Sequence, residues 1–149
     1  MSQNLQRLFS FVSFPLDYPT KELIDSHGSS KFLGQIPATV YQTWETRQLT
    51  RRLHRSISYF RDLNPELSFR LYDAKARDAY MKARWGDRKV LEIYANARFG
   101  PLKADIFRYC ILFDYGGFYF DISKGVSRPL RNFVNPDSTE VLSFEGSSS

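Results

Sequence analysis

The stretch from Pro101 to Ser123 constrains the fold of this chain more than any other. Pro101 stands where a helix accepts its first residue, because the missing N–H would find no helical partner there. Leu102, Ile106, Tyr109 and Phe113 then recur at spacings of 4, 3 and 4, which predicts a helix to Tyr115 with that stripe facing a sheet. Gly116 and Gly117 end it, since glycine adopts the left-handed backbone of a helix C-cap without steric cost. Phe118 to Ile122 reads as a short, apolar strand of the buried, parallel kind. A carboxylate at its carboxyl end, Asp121, is costly unless a partner or an ion lies near. Ligands of open α/β sheets bind beyond the carboxyl ends of the strands, so Asp121 is a candidate site residue. Ser123, two residues on, is expected on the same side of the strand, with Lys124 and Gly125 next to it.

The rest of the chain fits the same class. Ile36 to Gln42 reads as a strand. Thr46 to Asp62 reads as a helix, with Leu49, Leu53, Ile57 and Phe60 on one stripe. Arg47, Arg51, Arg52, Arg55 and Arg61 lie on its other face, either as a solvated helix surface, the commoner case, or as a nucleic-acid patch. Asn64-Pro65 marks a turn, and Leu67, Phe69 and Leu71 alternate with polar neighbours as a strand does. Asp73 suits the N-cap of a helix through about Arg84, and a shorter helix is predicted over Arg88 to Ala97. Strands alternating with helices predict an α/β sandwich around a mainly parallel sheet. Residues 1–35 read as an N-terminal extension, joined to this unit by a loop at His27-Gly28-Ser29-Ser30.

Composition narrows the partners. A chain of 149 residues has room for one domain, and its formal charge of +5 favours anionic ligands such as a nucleotide diphosphate, nucleic acid or an acidic membrane surface. The one cysteine, Cys110, excludes an internal disulfide and a cysteine-based zinc cluster, and is expected in the core. Leu8 to Leu16 is far shorter than the roughly 20 apolar residues of a membrane span. Arg7 precedes it but no small-residue cleavage site comes after it, so a buried or edge strand is expected there rather than a secretory signal. His27 and His54 have no partner at metal-ligand spacing, Trp85 is expected to be a packing aromatic, and nothing selects Asp137 or Glu145 as a ligand. Asp105 and Arg108 are helix neighbours three residues apart. They form either a surface ion pair or, on the border of the cleft below Asp121, a pair able to hold sugar hydroxyls.

The run Ala104-Asp105-Ile106-Phe107-Arg108-Tyr109-Cys110-Ile111-Leu112, continued by Tyr115-Gly116-Gly117-Phe118-Tyr119-Phe120-Asp121, resembles the signature of the DXD-containing sugar transferases. These include capsular polysaccharide synthesis proteins, the yeast mannosyltransferase that starts outer-chain glycans and, distantly, the glucosylating clostridial toxins. Ile36-Pro37, Gln42-Thr43-Trp44, Asn64-Pro65 and Leu71-Tyr72-Asp73 extend the resemblance over about Ile36 to Leu130. It implies a GT-A-like, Rossmann-like sheet flanked by helices, of which residues 36–149 would be the N-terminal, nucleotide-sugar-binding half. It also implies retaining hexosyl transfer from a nucleoside-diphosphate sugar to a glycan or polysaccharide acceptor, with a divalent cation, manganese or magnesium. By the family pattern Asp105 and Arg108 hold the donor sugar, while Gln42, Thr43, Trp44 and Tyr119 lie by the nucleotide. Asp121 and Ser123 take the metal positions. Nucleic acid is disfavoured as a partner, and the expected location is the cytoplasm or the periphery of a membrane.

Three departures accompany the resemblance. Ser123 stands where the second carboxylate of the motif is usual, and a hydroxyl is the weaker ligand for a hard cation. Tyr41 stands where the family often has histidine. Members also continue well beyond the DXD strand, so a truncated domain or a non-catalytic donor-binding remnant is the alternative expectation.

Overall fold

The computed structural model describes residues 20–29 and 34–142. The expectations for Leu8 to Leu16, Ser30 and Glu145 lie outside them. In chain order the elements are β1 (Thr20–Glu22), β2 (Thr39–Thr43), β3 (Gln48–Thr50), α1 (Arg51–Leu63), β4 (Ser68–Tyr72), α2 (Ala74–Trp85), α3 (Lys89–Asn96), α4 (Gly100–Tyr115) and β5 (Phe118–Tyr119), then a 3-10 turn at Leu130–Asn132.

The centre is a parallel sheet in the order β4-β2-β5, with Val40 opposite both Phe69 and Phe118. Successive residues of β2 serve opposite faces, as the period of a strand requires. Val40 packs with Phe60 of α1 and with Leu130 and Val134 of the C-terminal segment. Tyr41 packs with Tyr80 and Met81 of α2, Tyr94 of α3, and Phe107, Cys110 and Ile111 of α4. Helices therefore cover both faces of a parallel sheet, as the alternating pattern predicts. Residues 20–29 join this unit: β1 pairs antiparallel with β3, Ser26 bridges to Phe69, and Leu23 is buried beside Leu49, Ile57 and Leu71. No helix among the described residues is long and apolar enough to cross a membrane.

Several boundaries differ from the sequence expectation. The first helix starts at Arg51, because Gln48–Thr50 are drawn into a strand by β1 and the Thr50 hydroxyl then caps the helix at Leu53 N. Leu49 nevertheless reaches the core, from the strand. Arg47 and Arg61 leave the basic face. Arg47 pairs with Asp25 and donates to the Leu23 and Leu71 carbonyls, while Arg61 lies over the Phe69 ring and donates to Ile24 O at 2.6 Å. Arg51, Arg52 and Arg55 remain exposed. The Asp73 cap forms as predicted, accepting from Ala76 N at 2.8 Å.

The larger correction concerns α4. Three of the four stripe residues assigned to the sheet turn outward: Tyr109 is 74 % and Phe113 78 % exposed, and Leu102 is also exposed, while Ile106 is partly buried against the core of this face. The buried face is Phe107, Cys110 and Ile111. Beyond the glycines β5 is two residues long and does not run to Ile122. Gly116 and Gly117 both have positive φ, as their C-cap role predicts. Gly117 also admits the close passage of the chain over β2, where a Cβ would stand 2.5 Å from Thr39 O.

Candidate functional site

Two elements bring the predicted sugar-site residues together. Asp105 and Arg108 are a turn apart on α4, whose inner face is locked onto the sheet by Phe107 and Ile111. The glycine cap returns the chain into β5, where Tyr119 pairs with Tyr41 and Phe120 N donates to Tyr41 O. The chain thus leaves β2 and β5 at the same edge of the sheet, with Thr43 and Trp44 at and just past the end of one strand and Asp121 two residues past the end of the other.

At that edge the Arg108 guanidinium joins Asp105, Asp121 and Tyr119. Its Nη2 lies 2.6 Å from Asp105 Oδ1 and 3.1 Å from Asp121 Oδ1, and its Cζ sits 4.9 Å from the Tyr119 ring centroid. The two carboxylates are half-exposed and open to a ligand. Arg108 Nε is buried and finds no acceptor among the described residues. Burial, then the charge of Asp121, pushes the Tyr119 hydroxyl up to about 12, so it stays protonated and able to donate throughout the neutral range. Asp105 and Arg108 are a helix-surface pair by distance, but the same guanidinium also holds Asp121 from another element.

Ser123 is not on a strand, which removes the geometric reason for expecting it beside Asp121. Lys124 N donates to Asp121 O at 2.8 Å, closing a turn in which Ile122 is buried with Leu49 and Ile57 and Ser123 is exposed. No group of three or more histidine, cysteine or acidic side chains capable of holding a metal forms among the described residues. The donor set fits a cation only in the open manner typical of magnesium and manganese sites, with one or two carboxylates and the remaining ligands from phosphate and water. Asp121, with Ser123 in the turn that it opens, can supply that share.

On β2 the predicted nucleotide residues separate by depth. Gln42 is wholly buried, and neither its amide oxygen nor its nitrogen has a hydrogen-bond partner among the described residues. Thr43 is buried and donates to Tyr72 O at 2.7 Å. Trp44 emerges at the surface, 43 % exposed. Sequence reasoning overlooked Arg77 of α2, which is 2 % exposed and reaches both sides of Trp44: Thr43 Oγ1 and Glu45 Oε1, each at 3.1 Å. Its guanidinium also donates to the Tyr94 hydroxyl at 3.1 Å. The available signal was helical spacing, because Arg77 precedes the buried Tyr80 and Met81 by three and four residues and so shares their face. Beside it a cavity of about 260 Å³ is lined by Glu45, Asp78, Phe99, Gly100 and Lys103 among others.

The remaining candidates are structural. Cys110 is buried and its thiol is pushed up by burial, the opposite of an activated nucleophile. Trp85 packs edge-on against Phe113, with Arg88 over its ring. His54 Nδ1 lies 3.3 Å from Ser58 Oγ of its own helix.

Residues 41–141 match the glycosyltransferase sugar-binding region containing DXD motif. Similar curated proteins include inositol phosphoceramide mannosyltransferase 3 of Schizosaccharomyces pombe, 27 % identical over 95 residues, which are 64 % of this chain and 26 % of that protein. A mannosyl phosphorylinositol ceramide synthase of Saccharomyces cerevisiae is 27 % identical over the same 64 % of the chain and 25 % of its own length. The initiation-specific alpha-1,6-mannosyltransferase of S. pombe is 29 % identical over 66 % of the chain and 26 % of its length. The matched part of the chain spans about a quarter of each of these relatives. No solved structure matches it.

Proposed function

The chain belongs to the family of glycosyltransferases with a DXD-containing sugar-binding region, and from that premise we propose that it binds a nucleoside-diphosphate hexose at the carboxyl edge of its sheet. The transfer it serves is of the hexose to a glycan or lipid acceptor, with retention of configuration at the anomeric carbon. The names of the similar proteins favour mannose as the hexose. One observation carries the reading: Arg108 ties Asp105 of α4 to Asp121 beyond β5, so two half-exposed carboxylates and a guanidinium converge where the strands end.

Each residue then has a task. Asp105 accepts hydrogen bonds from sugar hydroxyls, and Arg108 donates to them while its charge offsets the repulsion between the two carboxylates it holds together. Trp44 offers its exposed face to the base, with Thr43 and Gln42 supporting it from inside and Tyr119 lying beneath Arg108. Asp121 and Ser123 would hold manganese or magnesium, which when bound neutralises the charge that develops on the leaving diphosphate. Positioning of donor and acceptor, rather than a strong protein base, supplies the remaining rate.

Titration of the full chain with guanosine diphosphate mannose and manganese tests the assignment. Binding is expected, and Asp121→Ala is expected to abolish it; unchanged affinity in that variant would refute the site. A second reading, donor binding without turnover, is favoured by Ser123 in place of a carboxylate and by the lack of a three-ligand acidic group among the described residues. Slow, manganese-dependent release of free mannose by the purified chain separates the two: turnover rejects the second reading, and binding without turnover over hours rejects the first.

A further inference from the structure

We propose that Arg77 is a positioning residue that fixes the orientation of Trp44 and thereby sets the affinity for the nucleoside part of the donor; the inference rests on the donor-site reading above. Trp44 lies just past the end of β2, where its N–H still reaches Tyr72 O of β4 but its side chain stands at the surface. One buried guanidinium grips the residue on either side of it. Nη1 donates to Thr43 Oγ1 and Nη2 to Glu45 Oε1, both at 3.1 Å, while Nε donates to the Tyr94 hydroxyl.

The grip is itself held at every point. The Thr43 hydroxyl donates its own hydrogen bond to Tyr72 O, and the Tyr94 hydroxyl donates to Asp78. Trp44 N donates to Tyr72 O at 3.2 Å and Ala74 N to Glu45 O at 3.4 Å, so the backbone of the segment is tied to the start of α2. Glu45 also stands against the first residue of α4: a Cβ on Gly100 would lie 2.9 Å from Glu45 Oε1. The carboxylate therefore lies beside the positive end of the helix that carries Asp105 and Arg108. A planar guanidinium with five donors in a fixed fork can serve three acceptors at once, whereas an ammonium on a flexible stem cannot hold the same geometry. Removing conformational freedom from the stacking side chain before the ligand arrives is the general means by which such a scaffold raises affinity.

The test uses the full chain with Trp85→Phe, which leaves Trp44 as its one tryptophan, and compares Arg77→Lys and Glu45→Ala in that background. Circular dichroism verifies the fold of each. Time-resolved fluorescence anisotropy reads the local motion of Trp44 without ligand, and calorimetry reads binding of GDP, UDP and inorganic pyrophosphate with manganese. Both substitutions are expected to increase the fast motion of Trp44 and to weaken the tighter nucleoside diphosphate about tenfold, leaving pyrophosphate unchanged. Unchanged anisotropy overturns the proposal, as does equal weakening of nucleoside diphosphate and pyrophosphate. If Arg77→Lys does not fold, Glu45→Ala decides alone, since that side chain is 61 % exposed and its loss leaves no buried cavity. If the parent binds neither GDP nor UDP, the donor-site reading falls, and the anisotropy comparison by itself decides whether Arg77 holds Trp44.

Discussion

Arg108 is the residue on which the site turns, and its environment sets what its loss should do. Its partners are half-exposed, and ion pairs of that kind contribute about 0–1 kcal/mol to folding. Arg108→Ala should therefore shift the unfolding midpoint little. The same substitution leaves Asp105 and Asp121 without their shared cation just where an anionic donor must come. Donor binding should weaken at least about tenfold, the equivalent of one lost charge-assisted hydrogen bond. Calorimetry beside a urea melt checks both halves, and a large loss of stability with unchanged binding would make Arg108 structural. At this scale the sequence was readable where spacing alone decides. Three residues on a helix place Asp105 beside Arg108, and Asp73 is a cap because a helix-forming run begins at the next residue. That Arg108 also grips Asp121, thirteen residues on, depends on how tightly the glycines fold β5 back beside α4. Arg77 was hidden for a related reason: its partners lie 17 to 34 residues away, on β2, in the loop beyond it and on α3.

Among the elements, α4 shows where pattern reading runs out. It carries apolar residues on two faces, Leu102, Ile106, Tyr109 and Phe113 on one and Phe107, Cys110 and Ile111 on the other, so periodicity gives two answers of similar weight. The structure chooses the second, with Ile106 partly buried at its border, because Tyr80 of α2 and Tyr94 of α3 pack with Phe107 and Cys110 in one core cluster. The α1 boundary was missed because a residue range that pairs with β1 cannot be found from local propensity. The α4–β5 junction, by contrast, was readable, since positive φ has few solutions in sequence. It also yields a test. Gly117→Ala would place a Cβ 2.5 Å from Thr39 O on a backbone at φ +88°, so both the contact and the conformation resist it. A loss of about 3 kcal/mol in urea unfolding is expected. An unchanged midpoint would mean that the chain does not cross β2 so closely.

For the whole molecule, the question is what binds the helix layer into one body with the sheet. Tyr80 of α2 is the central tie: its ring packs against Tyr72 and Phe107, and its hydroxyl reaches α4 at Cys110 O and at Asp114 Oδ2. Arg84 reaches the same carboxylate at 3.4 Å. Burial raises the Asp114 carboxyl, but the Tyr80 hydroxyl and the Arg84 guanidinium outweigh it and hold the group below the usual carboxylate range. A carboxyl that titrates lower in the folded chain than in the unfolded one stabilises the fold above its unfolded pKa. That contribution disappears as pH falls through the folded value. The layer should therefore loosen progressively below about pH 4, the ordinary carboxylate range. Asp114→Asn keeps the shape and an acceptor for Tyr80 but cannot titrate. At neutral pH it should cost about 1 kcal/mol, the difference between a charged and a neutral acceptor. On acidification below about pH 4 its melting temperature should fall less steeply than that of the parent, the gap between the curves closing as the parent's Asp114 takes up its proton. Parallel curves across that range would show that Asp114 does not couple the packing of α2 and α4 to protonation, and would leave the aromatic contacts of Tyr80 as the tie between them.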